Sequence, residues 1–504
     1  MLPNPPIPFN DPAADDYQST RIAHWDGVAR NYGRHTSWGT RAYYRRIKAV
    51  YQFLVSPGQR VLEIGSGPGH LLADLQPSVG VGVDFSPEMC RMARRAFPGL
   101  TFVQADAHDL SGLEGPFDVI LLSDTVNELW DVQSVFDGLR RLSTPRTRLI
   151  LNFYNRLWEP PLGLVRRLGL AAPTLTQNWL TVEDVRNLLH LAGFEAVRNW
   201  QEIVLPLPIP LIEPLFNKFL ARFWPLKDMA LSNFVIARPE PGNDVGRNDI
   251  PQMPGRVGFH PAPQEKPTVS VIVPARNEAG NIPAIFERVP EMGGGTELIF
   301  VEGHSKDETY AVIEREIAGR PARSARLFRQ TGIGKADAVR LGFAEARGDI
   351  LMILDADLTV PPEDLPRFYE ALVSGRGEFI NGVRLVYPMQ EQAMRTLNFF
   401  GNKFFSLAFS WLLGQPIKDT LCGTKVLWRE DYERIAANRS YFGDFDPFGD
   451  FDLIFGAAKL NLKIVDLPIR YRERTYGETN IDRWRHGMLL FRMIAFAARR
   501  LKFI

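Results

Sequence analysis

Between residues 238 and 267 the chain carries seven prolines and four glycines, with almost no apolar periodicity. Such a stretch buries too little surface to fold and reads as a linker. It interrupts a chain of 504 residues, too long for one ordinary core, and so predicts two domains of about 240 residues each. On either side the same rhythm recurs: a short β-branched run, a glycine- or acid-rich turn, then a helical segment. Residues 60–64 and 79–84 show it before the linker, and 269–273, 298–301 and 350–354 after it. Alternation of this kind implies an α/β architecture with a parallel sheet covered by helices in each half. The halves share that rhythm but no internal repeat.

Bulk composition excludes several functional classes. Apolar residues make up 45% and charged residues 23%, a globular and not a disordered profile. The net charge of +1 supplies no global field, so nucleic acid is not an expected partner. Cys90 and Cys422 are the only cysteines, giving neither a disulfide framework nor metal-ligand spacing. Residues 1–16 are rich in proline and acid and lack a signal-peptide pattern. No run of 18 apolar residues exists. The segment 397–414 is broken by Asn398, Asn402 and Lys403, and 203–216 by four prolines and Glu213. The expected location is cytoplasmic, peripheral at the cytoplasmic membrane face.

In the first half, Val61-Leu62-Glu63-Ile64 runs into Gly65-Ser66-Gly67-Pro68-Gly69 and a helical segment from His70. Alternate glycines at a strand end let a ligand approach the backbone beside the positive end of a helix. A dinucleotide fingerprint wants a small residue where His70 stands. Further strands follow: Val81 to Asp84 and Phe102 to Asp106 and Ala107 end in acids, and Phe117 to Ser123 is a fourth. An acid 19 residues beyond Gly65 suits two ribose hydroxyls. The glycine run with its preceding acid, and the ordered acids after it, resemble class I methyltransferases over roughly residues 40–237. The resemblance implies a Rossmann-like domain binding S-adenosylmethionine through Glu63, Gly65, Gly67, Gly69, Asp84, Asp106, Ala107 and Ser123. Asp84 would hold ribose and Asp106 adenine, with Ser123 beside the transferred methyl. Methyl transfer draws much of its rate from holding two reactants together, so it needs no conspicuous base. Asp124, Asn127, Glu128, His24 and His35 are candidate acceptor contacts, and the proline-rich segment 205–224 covers the acceptor site or packs on the second domain.

In the second half, Val269 to Val273 opens a strand that runs into Pro274-Ala275-Arg276-Asn277-Glu278, and a later strand ends at Glu302-Gly303. The apolar run Ile350 to Leu354 ends in Asp355-Ala356-Asp357. On an extended strand those two carboxylates share a face, and hard oxygen ligands suit Mg2+ or Mn2+. An isolated D-x-D would more often merely cap the following helix. Here Gly334-Lys335-Ala336-Asp337 lies upstream and Thr359-Val360-Pro361-Pro362-Glu363-Asp364 follows. Together these runs resemble GT-A family 2 glycosyltransferases, dolichyl-phosphate sugar synthases in particular, over nearly all of residues 268–480. The resemblance implies a nucleotide-diphospho-sugar transferase fold and inversion at the anomeric carbon. Asp355 and Asp357 would act as metal ligands and catalytic residues, and Pro274, Arg276, Glu278, Glu302, Lys335, Asp355 and Arg474 would hold the nucleotide-sugar donor. The family more often has paired aspartates where Glu302 and Gly303 stand, and a lysine where Asn480 follows Arg474, Gly477 and Thr479.

The acceptor stays open between two chemistries. A sugar hydroxyl needs a carboxylate base, for which Asp450 and Asp452 are the candidates. A polyprenyl phosphate is already an anion and needs cations instead. Downstream, residues 482–504 read as a helix with Arg485, Arg492 and Arg499 on one stripe and Leu490, Phe491, Ile494, Ala498 and Leu501 on another. Such a helix lies at a membrane surface or packs on the sheet with a solvated charged stripe. The expected organisation is an N-terminal extension (1–39), a methyltransferase domain (40–237), a linker (238–267), a glycosyltransferase domain (268–480) and a basic amphipathic helix (481–504). The first domain is either a second enzyme or a non-catalytic binding module.

Overall fold

A computed structural model describes residues 12–32, 38–167, 175–207, 209–241, 266–384, 396–439, 450–472, 474, 476 and 483–503. His35, Gly477, Thr479, Asn480 and most of the segment read as a linker lie outside the described residues. The chain divides into two compact units, Met1–Arg247 with Phe503–Ile504, and Asn248–Lys502.

The first unit is built on seven strands: β1 (Arg60–Ile64), β2 (Val79–Asp84), β3 (Thr101–Gln104), β4 (Val119–Ser123), β5 (Arg148–Tyr154), β6 (Phe194–Glu202) and β7 (Ser232–Pro239). Their order is β3-β2-β1-β4-β5-β7-β6. All pair in parallel except β7, which is antiparallel to both β5 and β6. Successive residues of β4 serve opposite faces. Val119 and Leu121 join one apolar cluster with Val61 and Phe234, while Ile120 and Leu122 join another with Leu62 and Phe136. Both faces are therefore covered, which is why these strands read as continuous apolar runs and not as alternating ones. Each side chain so buried contributes about 1.5–3 kcal/mol relative to exposure. Strand order reverses between β1 and β4, and the crevice outside their carboxyl ends is where an open α/β sheet takes its ligand.

Four helices frame that crevice: α1 (Pro12–Arg30), α2 (Trp38–Leu54), α3 (His70–Asp74) and α4 (Pro87–Ala96). The buried Glu202 carboxylate takes Arg46 from α2 at 2.9 Å and Arg222 at 2.7 Å. Trp200 Nε1 donates to the same carboxylate. Arg222 belongs to an excursion between β6 and β7 whose Leu211 and Trp224 are 88% and 78% exposed. Asn217 clips its start, with Leu205 N–H donating to its Oδ1 and its Nδ2 donating to Leu205 O.

The second unit has β8 (Val269–Ala275), β9 (Thr296–Glu302), β10 (Ala325–Arg329), β11 (Ile350–Ile353), β12 (Phe379–Val383), β13 (Lys425–Trp428) and β14 (Ile464–Pro468). The order is β10-β9-β8-β11-β13-β12-β14, with β13 antiparallel to its neighbours β11 and β12. The reversal falls between β8 and β11. Two expectations need correction. Both sheets are mixed, because β7 and β13 run against the rest. And β11 ends at Ile353, so Asp355 and Asp357 do not share the face of an extended strand. The chain turns there instead: Leu358 N–H reaches back to Asp355 O, and Leu358 has φ 54°.

Candidate active sites

In the first unit the glycine run folds as a tight turn between β1 and α3. Gly69 has φ 79°, and a Cβ there would lie 2.5 Å from the Phe102 ring, so glycine is required for both backbone and packing. Gly67, at φ 50°, has nothing within 4 Å of a Cβ, and its bare face opens the turn to a ligand. Gly67 N–H donates to Asp84 Oδ2 at 2.8 Å and Ser86 N–H to Oδ1 at 2.9 Å. Burial raises the Asp84 pKa against those two donors. Glu63 is buried beneath the turn, its Oε2 without a partner among the described residues, as is Ser66 Oγ. Burial pushes the Glu63 carboxyl up to about 8, with the Asp84 charge adding to the shift.

Asp106 lies just past β3. It accepts His108 N–H at 2.9 Å and His108 Nδ1 at 2.6 Å on Oδ1, and Gln18 Nε2 at 2.5 Å on Oδ2. His108 Nε2 accepts Asp131 N–H, which leaves Nδ1 to donate. Although burial opposes it, the His108 hydrogen bonds hold the Asp106 carboxyl below its ordinary range. Ser123 closes β4, and Thr125 beyond it fills the space where a Gly65 side chain would go. Gly67, Asp84, Glu63 and Ser66 thus come together at the carboxyl ends of β1 and β2, with Asp106 just past β3 and Ser123 at the end of β4, while Ala107 is buried in an apolar cluster. An open glycine turn, two orphaned buried polar atoms and a strand-end carboxylate fit the amino-acid and nucleoside parts of S-adenosylmethionine.

Sequence reasoning missed α1. It is part of what was read as an extension, yet Gln18 binds Asp106 and Asp26 Oδ1 accepts the Ser86 hydroxyl at 2.5 Å. Arg21 pairs with Glu128 at 3.2 Å. Of its apolar residues Ile22, Ala23, Trp25, Val28 and Ala29 only Ala29 is buried, so little in its pattern announces the contact.

In the second unit two cations, Lys335 and Arg474, organise the site through three ion pairs. Lys335, at the start of the helix Lys335–Glu345, reaches Asp355 Oδ1 at 2.6 Å. Arg474 bridges Glu278 Oε1 at 3.1 Å and Asp357 Oδ2 at 2.7 Å. Thr359 donates its N–H and hydroxyl to Asp357 Oδ1. Burial works against both partners of the first pair. Even so, Asp355, Asp450 and Asp357 hold the Lys335 pKa up, and Lys335 holds Asp355 down. Burial lifts Glu278 to about 6 despite Arg474. Gly423 lies so close that a Cβ would collide with the Asp355 carboxylate and the Lys335 amine.

Asp450 joins this cluster and Asp452 does not. Asp450 is buried, 4.0 Å from the fully buried Lys425, and its Oδ1 has no hydrogen-bond partner among the described residues. Burial raises its pKa against the attraction of Lys335 and Lys425. Asp452 instead pairs with Arg439 at 2.9 Å and Arg340 at 3.4 Å. Glu302 accepts Ser305 N–H, Pro274 lies at the end of β8, and Arg276 is exposed just past it. The Arg384–Asp419 pair, bonded at 2.7 and 2.9 Å, braces the turn that carries Gly423.

Each unit has its counterpart among known proteins. Residues 61–146 match the family model described as Methyltransferase domain, and residues 270–436 that described as Glycosyl transferase family 2. The chain therefore carries one domain of each kind. Dolichol-phosphate mannosyltransferase of Pyrococcus furiosus is 35% identical over 243 residues, 46% of this chain and 64% of that protein. Undecaprenyl-phosphate 4-deoxy-4-formamido-L-arabinose transferase of Pseudomonas aeruginosa is 26% identical over 230 residues, 45% of this chain and 64% of that protein. The chain thus spans just under two thirds of these relatives. Among solved structures, magnesium protoporphyrin IX methyltransferase from Synechocystis PCC 6803 is 18% identical with a TM-score of 0.32, over 45% of this chain and 98% of that one. Glucosyl-3-phosphoglycerate synthase from Mycobacterium tuberculosis is 20% identical with a TM-score of 0.34, over 47% of this chain and 80% of that one.

Proposed function

We propose that the chain is a bifunctional transferase. The first unit transfers a methyl group from S-adenosylmethionine. The second passes a sugar, with inversion, from a nucleotide-sugar donor to a polyprenyl phosphate. The observation that carries the second reading is the paired arrangement of Lys335 with Asp355 and of Arg474 with Asp357 and Glu278. Two carboxylates at a switch point, each already facing a cation, suit a site that must hold a diphosphate and a divalent ion together. Asp355 and Asp357 are the residues that would hold Mg2+ or Mn2+. When bound, the ion would neutralise charge on the departing diphosphate. Lys335 and Arg474 would add fixed positive charge for a diphosphate held there. An anionic acceptor needs no proton removed, so the low-dielectric pocket has only to bring two anions together.

The acceptor reading also draws on the helices Thr396–Leu413 and Arg483–Ala497. Phe404, Leu407, Met488 and Phe491 are exposed on them, and the Phe404 and Phe491 rings are 5.9 Å apart. Lys403, Arg492 and Arg499 are exposed beside them. Apolar side chains flanked by cations suit the headgroup region of an anionic bilayer. No helix among the described residues is long and apolar enough to cross a membrane. A location at the cytoplasmic membrane face follows from this reading. A second reading, a glycan hydroxyl acceptor with the first unit as a binding module, is favoured by the buried Asp450 carboxylate, a candidate base whose Oδ1 has no hydrogen-bond partner among the described residues.

The test is transfer from a panel of nucleotide sugars with Mn2+ or Mg2+, with short-chain polyprenyl phosphate in anionic vesicles or with soluble glycans. The expected result is transfer to the lipid phosphate that falls at least about a hundredfold in Asp357→Ala. Transfer to sugar hydroxyls alone, lost in Asp450→Asn, would replace the lipid acceptor by the second reading.

A further inference from the structure

Asp124 stands at the carboxyl end of β4 with φ 56°, a left-handed conformation that side-chain-bearing residues seldom adopt. Its neighbours impose it. Asp124 N–H donates to Asn152 O at 3.2 Å, and the Thr125 hydroxyl donates to Ile64 O at 2.8 Å. The carboxylate is thereby turned into the crevice between β1, β4 and β5, one residue beyond Ser123. Oδ1 accepts the Tyr43 hydroxyl at 2.6 Å and Asn152 Nδ2 at 2.5 Å. The Tyr51 hydroxyl donates to Asn152 Oδ1 at 2.8 Å, which fixes the amide with its NH2 toward Asp124. Oδ2 is closed to solvent and has no hydrogen-bond partner among the described residues.

A strut between Tyr43 and Asn152 needs one acceptor oxygen, and an asparagine would serve. A second, ionisable oxygen left bare is unfavourable unless another group meets it. What surrounds it is aromatic: ring centroids of Tyr43 and Tyr44 are 5.5 Å apart, of Tyr43 and Tyr154 6.1 Å, and of Tyr154 and Trp179 6.3 Å. Such faces suit the C–H face of a ring and supply no cation that would neutralise the carboxylate.

We propose that Asp124 Oδ2 takes the proton from a hydroxyl-bearing ring acceptor, held against Tyr43, Tyr44 and Tyr154, as the methyl group leaves the sulfonium. This rests on the methyltransferase reading. The acceptor O–H bond breaks and its proton passes to Oδ2. The freed oxygen pair forms the O–CH3 bond. The S–CH3 bond breaks with its pair returning to sulfur, leaving a neutral thioether. Asp124, then a neutral acid, gives its proton to water before the next turnover. Burial lifts this carboxyl to about 6 even though Tyr43 and Asn152 pull it down, a base poised near neutrality. The titratable groups that feel its charge are Tyr43, Tyr44 and Tyr51 on α2 and Tyr154 on β5, with Glu63 on β1 on the far side of Tyr51. Glu128, paired with Arg21, lies behind Tyr154. The tyrosines are all pushed above their ordinary range by burial first and by Asp124 second. Glu63 titrates about two units higher than Asp124.

The experiment measures equilibrium binding of S-adenosylmethionine and S-adenosylhomocysteine to the full chain from pH 5 to 9. The two ligands differ by one positive charge at the sulfur. A carboxylate facing that sulfur therefore favours the sulfonium only when ionised. In the unmodified protein the preference for the sulfonium should rise about tenfold between pH 5 and 7. In Asp124→Asn it should be flat over that window, with thioether binding unchanged. A rise above pH 7 common to both proteins belongs to Glu63. Tyr43→Phe, which keeps the carboxyl but removes one donor, should move the midpoint upward by about one pH unit. It decides the matter if the asparagine variant loses the thioether as well. A preference independent of pH, or the same in Asp124→Asn, would overturn the role of Asp124 and leave the methyltransferase reading standing. Failure to bind either ligand would overturn both.

Discussion

Glu63 shows how one residue links the glycine turn of the first unit to the stability of that unit. Its carboxyl is held up to about 8 by burial, against an ordinary value near 4.5. The folded protein keeps a proton that the unfolded chain has released. Stability contributed by that proton is complete below the unfolded value and is lost as the pH rises through the folded one, at about 1.4 kcal/mol per pH unit between them. Glu63→Gln, which cannot ionise, should flatten this slope. In urea titrations at pH 5 and 7.5, the unmodified first unit is expected to lose stability over the interval and the variant to lose clearly less. Equal losses would mean that Glu63 is already ionised at pH 5.

At the scale of the element, the Arg46–Glu202–Arg222 cluster ties α2, β6 and the excursion before β7. The Arg222 and Arg46 guanidiniums hold the Glu202 carboxyl low against its burial, so its contribution is present at neutral pH and lost only as acid protonates it below its ordinary range. Glu202→Gln leaves two buried guanidiniums without their carboxylate. It should cost about 3–5 kcal/mol, read as a lowered urea midpoint for the first unit with the second unchanged. This element also marks the limit of the sequence. Val119 to Ser123 and Ile350 to Ile353 are legible because strands covered on both faces need unbroken apolar runs. The direction of β7 and β13 is not written in such runs, since pairing is decided by neighbours far along the chain. Asp355 and Asp357 were found by type and spacing, but their separation by a turn was not, because Leu358 takes a left-handed φ that its residue type does not advertise. The choice between Asp450 and Asp452 rested on which cations fold beside each. One meets Lys425, and the other is absorbed by Arg340 and Arg439.

For the whole molecule, each unit carries apolar clusters of its own on both faces of its own sheet. Two cores predict two unfolding transitions and not one. S-Adenosylmethionine at a hundred times its dissociation constant should stabilise one transition by about 2.7 kcal/mol, and a nucleotide-sugar with Mn2+ the other. Differential scanning calorimetry checks this; a single transition moved by either ligand would mean that the units unfold as one.

The exposed side chains of the excursion, Leu211 and Trp224 foremost, have a practical consequence. With 59 basic against 58 acidic residues, little mutual repulsion keeps copies of this chain apart near neutrality. Apolar surface and near-zero charge together make a solution that clouds early. Sulfate salts, which strengthen the drive to hide such surface, should bring the protein out at the low end of an ammonium sulfate cut, and retain it late on a phenyl column.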